Sequence, residues 1–176
     1  SLNVAIIGGG MFFDEIIGQS FKDFMRGGLS GALTSIGMSH FAPAVADVSI
    51  DVCAVGTRSE KSGTAGHITE WFAEEFPDRK IDACYGDAVW KDIIASHKPD
   101  VLFVATPDHV HAQPILDALD AGCDVITEKP LCLTMSETDQ IITRAKETER
   151  VVAVDMHKRY DPFVREMMSK ATEQYG

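Results

Sequence analysis

The sequence lacks three features that would assign the protein to a specialised class. Its four cysteines form no C-x-x-C pair and show no metal-binding spacing, so free thiols in a reducing cytoplasm are expected. No apolar run reaches the ~18 residues that a membrane-spanning helix needs. Residues 1–3 carry no basic segment and lead directly into an apolar run, unlike a secretion signal. We therefore expect a cytoplasmic location and no membrane partner.

Positive charge is also scarce. The chain has 16 Lys and Arg against 27 Asp and Glu, which gives a formal net charge of −11 at pH 7. Such a charge repels nucleic acid and anionic membranes, so no nucleic-acid partner is expected and an anionic ligand must be held by local geometry. With 45% hydrophobic and 24% charged residues, the 176-residue chain has the composition of a globular domain with a substantial core.

Short apolar runs alternate with helical patterns along the chain. The runs are rich in β-branched residues and several are apolar at every position, as expected of strands buried on both faces of a sheet. Six strands that alternate with helices predict an α/β fold with a doubly wound, mainly parallel sheet. The predicted strands are 4–7, 50–55, 83–85, 101–105, 123–126 and 151–154, and the predicted helices are 13–25, 68–76, 88–96, one ending at 119, 134–148 and 163–173.

Three glycines directly follow the first predicted strand. Gly8, Gly9 and Gly10 lie between that strand and a helical pattern, where glycine lets the backbone approach a pyrophosphate and the helix start favours an anion. Gly8 and Gly10 fit the first two positions of G-x-G-x-x-G, but Phe13 occupies the third. The turn therefore predicts a dinucleotide site with a degenerate fingerprint.

The segment between the first two strands is longer than a simple crossover requires. Residues 21–46 indicate an insertion, and the glycines around Gly28 predict a helix end that continues as a break through 29–31. Two placements remain open. The insertion either follows a helix over 13–25 or lies inside the glycine turn, with Gly37 as the displaced third glycine.

The end of the second strand bears on the choice of cofactor. In a dinucleotide fold this edge meets the adenosine ribose, where an acidic residue binds the 2′-hydroxyl and an arginine accommodates a 2′-phosphate. Thr57 and Arg58 follow the strand without an acidic residue at its end. The expected cofactor is therefore NADP, with NAD as the alternative. A Rossmann-like methyltransferase is disfavoured, because it would need an acidic residue for the ribose hydroxyls.

A carboxylate, an ammonium group and a proline follow one another at the end of the fifth strand. Pro130 has no N–H and biases Lys129 towards an extended conformation, so the lysine is expected to project from the sheet edge. Glu128 is expected to steer that ammonium group. The alternative is a solvated ion pair in a loop, which contributes little.

The end of the fourth strand carries two histidines. Asp108 is expected to cap the following helix, and His111 would then lie in its first turn, beside whatever the sheet edge binds. A structural or solvated histidine is the alternative interpretation. Later in the chain, Thr134 and Glu137 predict a capping box.

Together, the glycine turn, residues 105–111, residues 128–131 and residues 159–162 resemble the Gfo/Idh/MocA family of NAD(P)-dependent oxidoreductases. The family includes glucose–fructose oxidoreductase and inositol dehydrogenase, and the resemblance covers nearly the whole chain. It implies that residues 1–176 form a dinucleotide-binding Rossmann domain. In the family, an α+β domain follows, which supplies much of the substrate pocket and forms the oligomer. Its Asp-x-x-x-His stretch does not occur here, so the isolated chain is expected to be inactive.

The resemblance also implies roles for individual residues. Lys129 would be the catalytic residue, facing the nicotinamide and the substrate, and no metal is expected. Asp108 replaces the family's usual Asn, and His157 stands where members often have Asn. The implied cofactor-binding residues are Gly8, Gly10, Met11, Phe12, Thr57, Arg58, Thr106, Pro107, His111, Glu128, Lys129 and His157.

The function implied for the full-length protein is hydride transfer between the nicotinamide cofactor and a sugar, cyclitol or related polyol, by a homo-oligomer. The alternative is a non-catalytic NAD(P)-binding module that acts as a redox sensor or scaffold. An Asp-x-x-x-His stretch beyond residue 176 would favour the enzyme.

Overall fold

The computed structural model describes residues 1–10, 17–159 and 161–175. The predicted cofactor contacts Met11 and Phe12, and Phe13 at the third glycine position, lie outside the described residues.

Six parallel strands form one sheet in the order β3-β2-β1-β4-β5-β6. The strands are β1 (Leu2–Ile7), β2 (Ile50–Thr57), β3 (Asp82–Tyr85), β4 (Val101–Val104), β5 (Asp124–Glu128) and β6 (Val152–Asp155). Strand β1 lies in the centre and pairs with both β2 and β4. The direction of winding therefore reverses between β1 and β4, where open α/β sheets have their ligand-binding crevice.

Helices cover both faces of the sheet. They are α1 (Gly18–Ser35), α2 (Thr64–Ala73), α3 (Val89–His97), α4 (Ala112–Asp120) and α5 (Met135–Thr148). A further helix, α6 (Pro162–Tyr175), comes after β6 and has no buried residue. Val4 and Ile6 of β1 are buried in one core with residues of α1 and α2, whereas Ala5 and Ile7 are buried in the other with residues of α3, α4 and α5. This two-sided burial explains why the strand is apolar from Val4 to Ile7, and the predicted doubly wound α/β fold is confirmed.

The insertion between β1 and β2 consists of the later part of α1 and a 3₁₀ turn, Ala42–Val45. Gly28 breaks α1 with φ 64° and ψ 175°, which glycine adopts without a steric penalty. The predicted break at Gly28 is confirmed, but its continuation through 29–31 is wrong because the helix resumes at once and reaches Ser35. Gly37 follows the far end of α1, roughly 27 Å of helix from its start. It is not the displaced third glycine.

Strand β2 is longer than predicted, because Gly56 and Thr57 belong to it. A Cβ at Gly56 would lie within 3.0 Å of side-chain atoms of Ile93 and Val89. Glycine at this position lets α3 pack closely on the sheet, which brings the start of α3 towards the end of β2.

The capping box at the start of α5 is confirmed. The Thr134 hydroxyl accepts from the Glu137 N–H at 3.2 Å, and the Glu137 carboxylate accepts from the Thr134 N–H at 3.0 Å.

The last helix, α6, has three large apolar side chains that are largely exposed, namely Phe163, Met167 and Met168. Within the described part of the chain, no helix combines the length and hydropathy needed to cross a membrane.

Candidate functional site

A cavity of about 660 Å³ opens at the carboxyl ends of β1, β2 and β4. Its wall is formed by the glycine turn, the ends of β2 and β3, the first turn of α3 and the loop after β4, and comprises residues 7–10, 56–58, 64, 86–87, 89–90, 105–107 and 109–110. This is the crevice at which the winding reverses. The structure therefore brings the predicted residues Gly8, Gly10, Thr57, Arg58, Thr106 and Pro107 to one cavity.

The three glycines of the turn differ in how much space a side chain would find. Gly8 has φ +97°, and a Cβ there would collide with the carbonyl group of Ala105 at the end of β4. Gly9 has no space for a Cβ either, because the side chains of Ile68 and Thr64 lie against it. A Cβ at Gly10 would meet no atom of the described residues within 4 Å. Gly8 thus allows the chain to turn beside β4, while Gly10 adds no side chain to the cavity wall.

Two hydroxyl groups in the cavity wall lack partners. The side-chain oxygens of Thr57 and Thr106 are buried, and neither has a hydrogen-bond partner among the residues that the structure describes. Buried polar atoms of proteins are nearly always paired. A dinucleotide carries hydroxyl and phosphate groups that would supply the missing partners, so the cavity fits that class of ligand.

Arg58 meets an acidic residue that comes from another strand. Its Nε lies 3.5 Å from Oδ1 of Asp87, which follows β3, and both side chains are exposed. The sequence shows no acidic residue at the end of β2, but the parallel pairing of Thr57 with Tyr85 places Asp87 at the same edge. Arg58 is therefore half of an ion pair at the mouth of the cavity.

His111 is fully buried and connects two strand ends. Its Nδ1 lies 2.7 Å from the carbonyl oxygen of Pro130, and its Nε2 lies 2.8 Å from that of Thr106. A neutral ring donates to one of these oxygens and a protonated ring to both. His111 is not among the residues that line the cavity. Its place in the structure is beneath the two loops, where it fixes their separation.

The expectation that Asp108 caps the helix after β4 is wrong. Asp108 begins a short 3₁₀ turn, Asp108–Val110, and α4 begins only at Ala112 without a side-chain cap. The extra turn moves the carboxylate away from the start of α4. It also brings His109 and Val110 to the cavity wall, while His111 turns inward.

The Glu-Lys-Pro stretch lies at the end of β5, one strand away from the cavity wall. Glu128 is the last residue of the strand and is 8% exposed, and its Oε2 accepts from the backbone N–H of Lys129 at 3.3 Å. Lys129 is exposed and is joined to Pro130 by a cis peptide bond. Because His111 binds the carbonyl of Pro130, the loop that carries Lys129 is held against the loop of Thr106.

A second, mostly apolar groove of about 470 Å³ lies beside Lys129. It is lined by Lys129, Met156, Lys158, Arg159 and Val164. The backbone of His157 belongs to the 3₁₀ turn His157–Arg159, which follows β6 at this edge. The Lys158 ammonium group lies 3.0 Å from Oδ2 of Asp161 and lowers the pKa of that carboxyl group.

The cysteines do not take part in either site. Cys53, Cys84, Cys123 and Cys132 are all free in the structure. Burial raises the pKa of the Cys53 thiol to about 11 and also raises the pKa of Cys84 and Cys123. Across the described ranges, no group of three or more His, Cys, Asp and Glu is arranged to hold a metal ion.

Comparison with known proteins identifies the family of the chain. The Gfo/Idh/MocA oxidoreductase family, described as having an NAD-binding Rossmann fold, matches residues 2–156. The chain belongs to this family. The resemblance expected from the sequence is confirmed, and the Gfo/Idh/MocA match makes the chain an NAD(P)-binding domain.

Three Gfo/Idh/MocA-related enzymes show the extent of the similarity. D-Glucoside 3-dehydrogenase of Escherichia coli (strain K12) is 34% identical over 92 residues, which cover 50% of this chain and 26% of that protein. The scyllo-inositol 2-dehydrogenase (NAD(+)) of Bacillus subtilis (strain 168) is 32% identical over 63 residues, 36% of this chain and 18% of that protein. D-Xylose 1-dehydrogenase (NADP(+)) of Hypocrea jecorina is 29% identical over 118 residues, 64% of this chain and 30% of that protein.

Solved structures share the fold. Myo-inositol 2-dehydrogenase from Lactobacillus plantarum superposes with a TM-score of 0.62 at 20% identity, covering 97% of this chain and 42% of that chain. Biliverdin reductase from Synechocystis, in complex with biliverdin and NADP+, gives a TM-score of 0.56 at 21% identity, covering 87% of this chain and 37% of that chain. The chain thus spans less than half the length of these two proteins.

Several cavity residues were missed by sequence reasoning. Asp87, Val89, Trp90 and His109 line the cavity of this Gfo/Idh/MocA domain. Their shared signal is position, because each lies within a few residues of the carboxyl end of a strand. The residues that follow the end of each predicted strand include all four, although none of the four is a residue that a recognised motif specifies.

Proposed function

We propose that the complete protein is an NADP(H)-dependent oxidoreductase that transfers a hydride between the nicotinamide and a carbon bearing a hydroxyl or carbonyl group in a sugar, cyclitol or related polyol. The names of relatives support this class, since they include a glucoside, a xylose and an inositol dehydrogenase. The cofactor would supply the hydride chemistry. The residues of this chain would bind it, orient it and assist the transfer of a proton.

One observation carries the proposal. The ring of His111 bridges the carbonyl oxygens of Thr106 and Pro130, with distances of 2.8 and 2.7 Å. Thr106 belongs to the cavity wall, and Pro130 directly follows Lys129. A buried side chain therefore couples the proposed cofactor cavity to the loop that carries the proposed catalytic lysine.

The binding residues would act through backbone and hydroxyl groups. The open face at Gly10 would admit the pyrophosphate, while the unpartnered hydroxyls of Thr57 and Thr106 would bind polar groups of the nucleotide. Pro107 would complete the wall beside Thr106. Met11, Phe12, Glu128 and His157 remain predicted cofactor-binding residues on the strength of the family resemblance. His111, also predicted to bind the cofactor, would instead hold the loops of Thr106 and Pro130 in place.

Lys129 would act on the reacting oxygen of the substrate. An exposed ammonium group at the sheet edge can donate a hydrogen bond to that oxygen and favour its alkoxide-like form. In the direction of reduction it would give its own proton to the alkoxide, and in the direction of oxidation the neutral amine would accept the hydroxyl proton. Such an oriented, charged donor contributes about 10²–10³-fold in rate. Glu128, which accepts the Lys129 N–H, would help to orient the lysine.

Arg58 would favour NADP over NAD. A guanidinium group is a forked donor suited to the 2′-phosphate, and it stands at the mouth of the cavity in a chain that is otherwise strongly acidic. A charge-assisted hydrogen bond of ~1.5–3 kcal/mol corresponds to a preference of roughly 10- to 150-fold.

We further propose that the complete protein has a second domain that supplies most of the substrate pocket, assembles into a homo-oligomer and is cytoplasmic. The four free cysteines agree with a reducing compartment. Light scattering of the complete protein would report its oligomeric state.

The experiment is an activity screen of the complete protein against sugars and polyols with both cofactors. For the best substrate, Lys129→Ala should lower turnover about 10²–10³-fold while leaving the cofactor Kd nearly unchanged. Lys146→Ala is the matched control, because Lys146 is an exposed lysine on α5 away from the cavity.

Unchanged turnover in Lys129→Ala would remove the lysine from the mechanism. Nucleotide binding without turnover of any substrate would favour the alternative of a non-catalytic NAD(P)-binding module.

A further inference from the structure

Asp87 lies at the mouth of the cavity, and its side chain contributes little to holding the described residues together. Its side chain is 95% exposed, and its one hydrogen bond or ion pair within the described residues is the 3.5 Å contact with Arg58. The N-cap of α3 is the next residue, Ala88, and no side chain caps that helix. An exposed pair of this kind contributes little to stability.

The backbone fixes Asp87 beside the end of β2. The N–H of Gly86 donates to the carbonyl of Thr57 at 3.1 Å, which continues the pairing of β3 with β2 beyond the strands. Asp87 is the residue after Gly86, and Arg58 is the residue after Thr57. This hydrogen bond therefore holds the two charged residues side by side. Both line the cavity, together with Thr57 and Gly86.

The two charges have opposite effects on a nucleotide. In a dinucleotide fold the adenosine ribose lies at the end of the second strand, so its 2′ substituent would lie near this pair. A 2′-phosphate is attracted by Arg58 and repelled by Asp87, whereas a 2′-hydroxyl can donate to the carboxylate of Asp87. The pair is therefore neutral in sum: it attracts a 2′-phosphate less than Arg58 alone would, and it still offers an acceptor to a 2′-hydroxyl.

We propose that Asp87 is a specificity-determining residue that limits the preference for NADP created by Arg58, so that the domain binds both NADP and NAD. This inference rests on the proposed role of Arg58 at the 2′ position. At a separation of roughly 6 Å in water, repulsion between a doubly charged phosphate and a carboxylate weakens binding about 10-fold. The preference for NADP is then about 10-fold lower than Arg58 alone would give.

The test is a calorimetric titration of the chain with NADP and with NAD at low salt. Calorimetry measures binding and requires no catalytic activity. Asp87→Asn removes the charge with little change of shape and should tighten NADP about 10-fold, whereas NAD, whose 2′-hydroxyl would keep only a neutral amide oxygen as acceptor, should bind no more tightly than before. Asp78→Asn is the matched control, because it makes the same change of net charge at an exposed residue that does not line the cavity. It should alter neither affinity.

Two further measurements separate this inference from the role of Arg58. Arg58→Ala alone should erase most of the NADP preference, and its failure to do so would refute the proposed role of Arg58. Raising the salt concentration should shrink the effect of Asp87→Asn, because exposed charges are screened.

The inference about Asp87 is overturned if Asp87→Asn leaves the ratio of the two affinities unchanged or shifts both nucleotides equally. Absence of binding by either nucleotide would overturn it as well, together with the assignment of the cavity.

Discussion

Replacing His111 with alanine removes a fully buried side chain that joins the ends of β4 and β5. The ring spans the carbonyl oxygens of Thr106 and Pro130, and it has no exposed surface. Alanine cannot reach either oxygen. We therefore expect His111→Ala to destabilise the domain and to loosen the loop of Lys129 relative to the cavity.

The magnitude follows from the hydrogen bonds and the volume of the His111 ring. A buried hydrogen bond contributes ~1 kcal/mol, and a buried carbonyl oxygen left without a donor costs about 1–3 kcal/mol more. The vacated volume adds a cavity term, and water that enters to bind the oxygens offsets a comparable part of the total. We expect the free energy of unfolding to fall by about 2–4 kcal/mol, which lowers the Tm by roughly 5–15 °C in a chain of this length.

The assay is urea unfolding followed by far-UV circular dichroism, with a nucleotide titration of the folded variant. His67→Ala is the matched control, because this exposed histidine of α2 does not line the cavity and its loss should change stability by no more than ~0.5 kcal/mol. If His111→Ala keeps the wild-type stability but loses nucleotide binding, His111 is a direct cofactor ligand and the proposed positioning role is wrong.

Two other predictions concern stability. Lys22 is buried, with its Nζ 2.7 Å from the carbonyl oxygen of Trp71 and 3.6 Å from the centre of the indole ring, so Lys22→Met should lower the free energy of unfolding by about 1–3 kcal/mol in the same urea assay. Lys146→Met on the surface should leave it unchanged, and an equal loss in both would refute this account. Because burial raises the pKa of Cys53 to about 11, its contribution is complete below the unfolded-state value near 9 and is lost as the pH rises from 9 towards 11. Cys53→Ala should flatten the decline in urea-unfolding stability over that range, and an unchanged slope would contradict the assignment.

The local features of this chain are determined by residues that are neighbours in the sequence. β-Branched apolar runs predict buried strands, the glycines at residues 8–10 predict a tight turn, and Thr134 with Glu137 predicts a helix start. Each depends on backbone sterics or on hydrogen bonds within a few residues, so the alternation of strands and helices and the doubly wound fold follow from the sequence.

The tertiary structure decided which distant groups meet. Asp87 reaches Arg58 because β3 pairs with β2 in a particular register, and His111 reaches Pro130 because a 3₁₀ turn before α4 points the ring inward. A histidine in a first helical turn has the same sequence pattern whether it faces a ligand or the interior. Register, and the packing that selects one rotamer among several, depend on contacts between residues tens of positions apart, which hydrophobic periodicity does not encode.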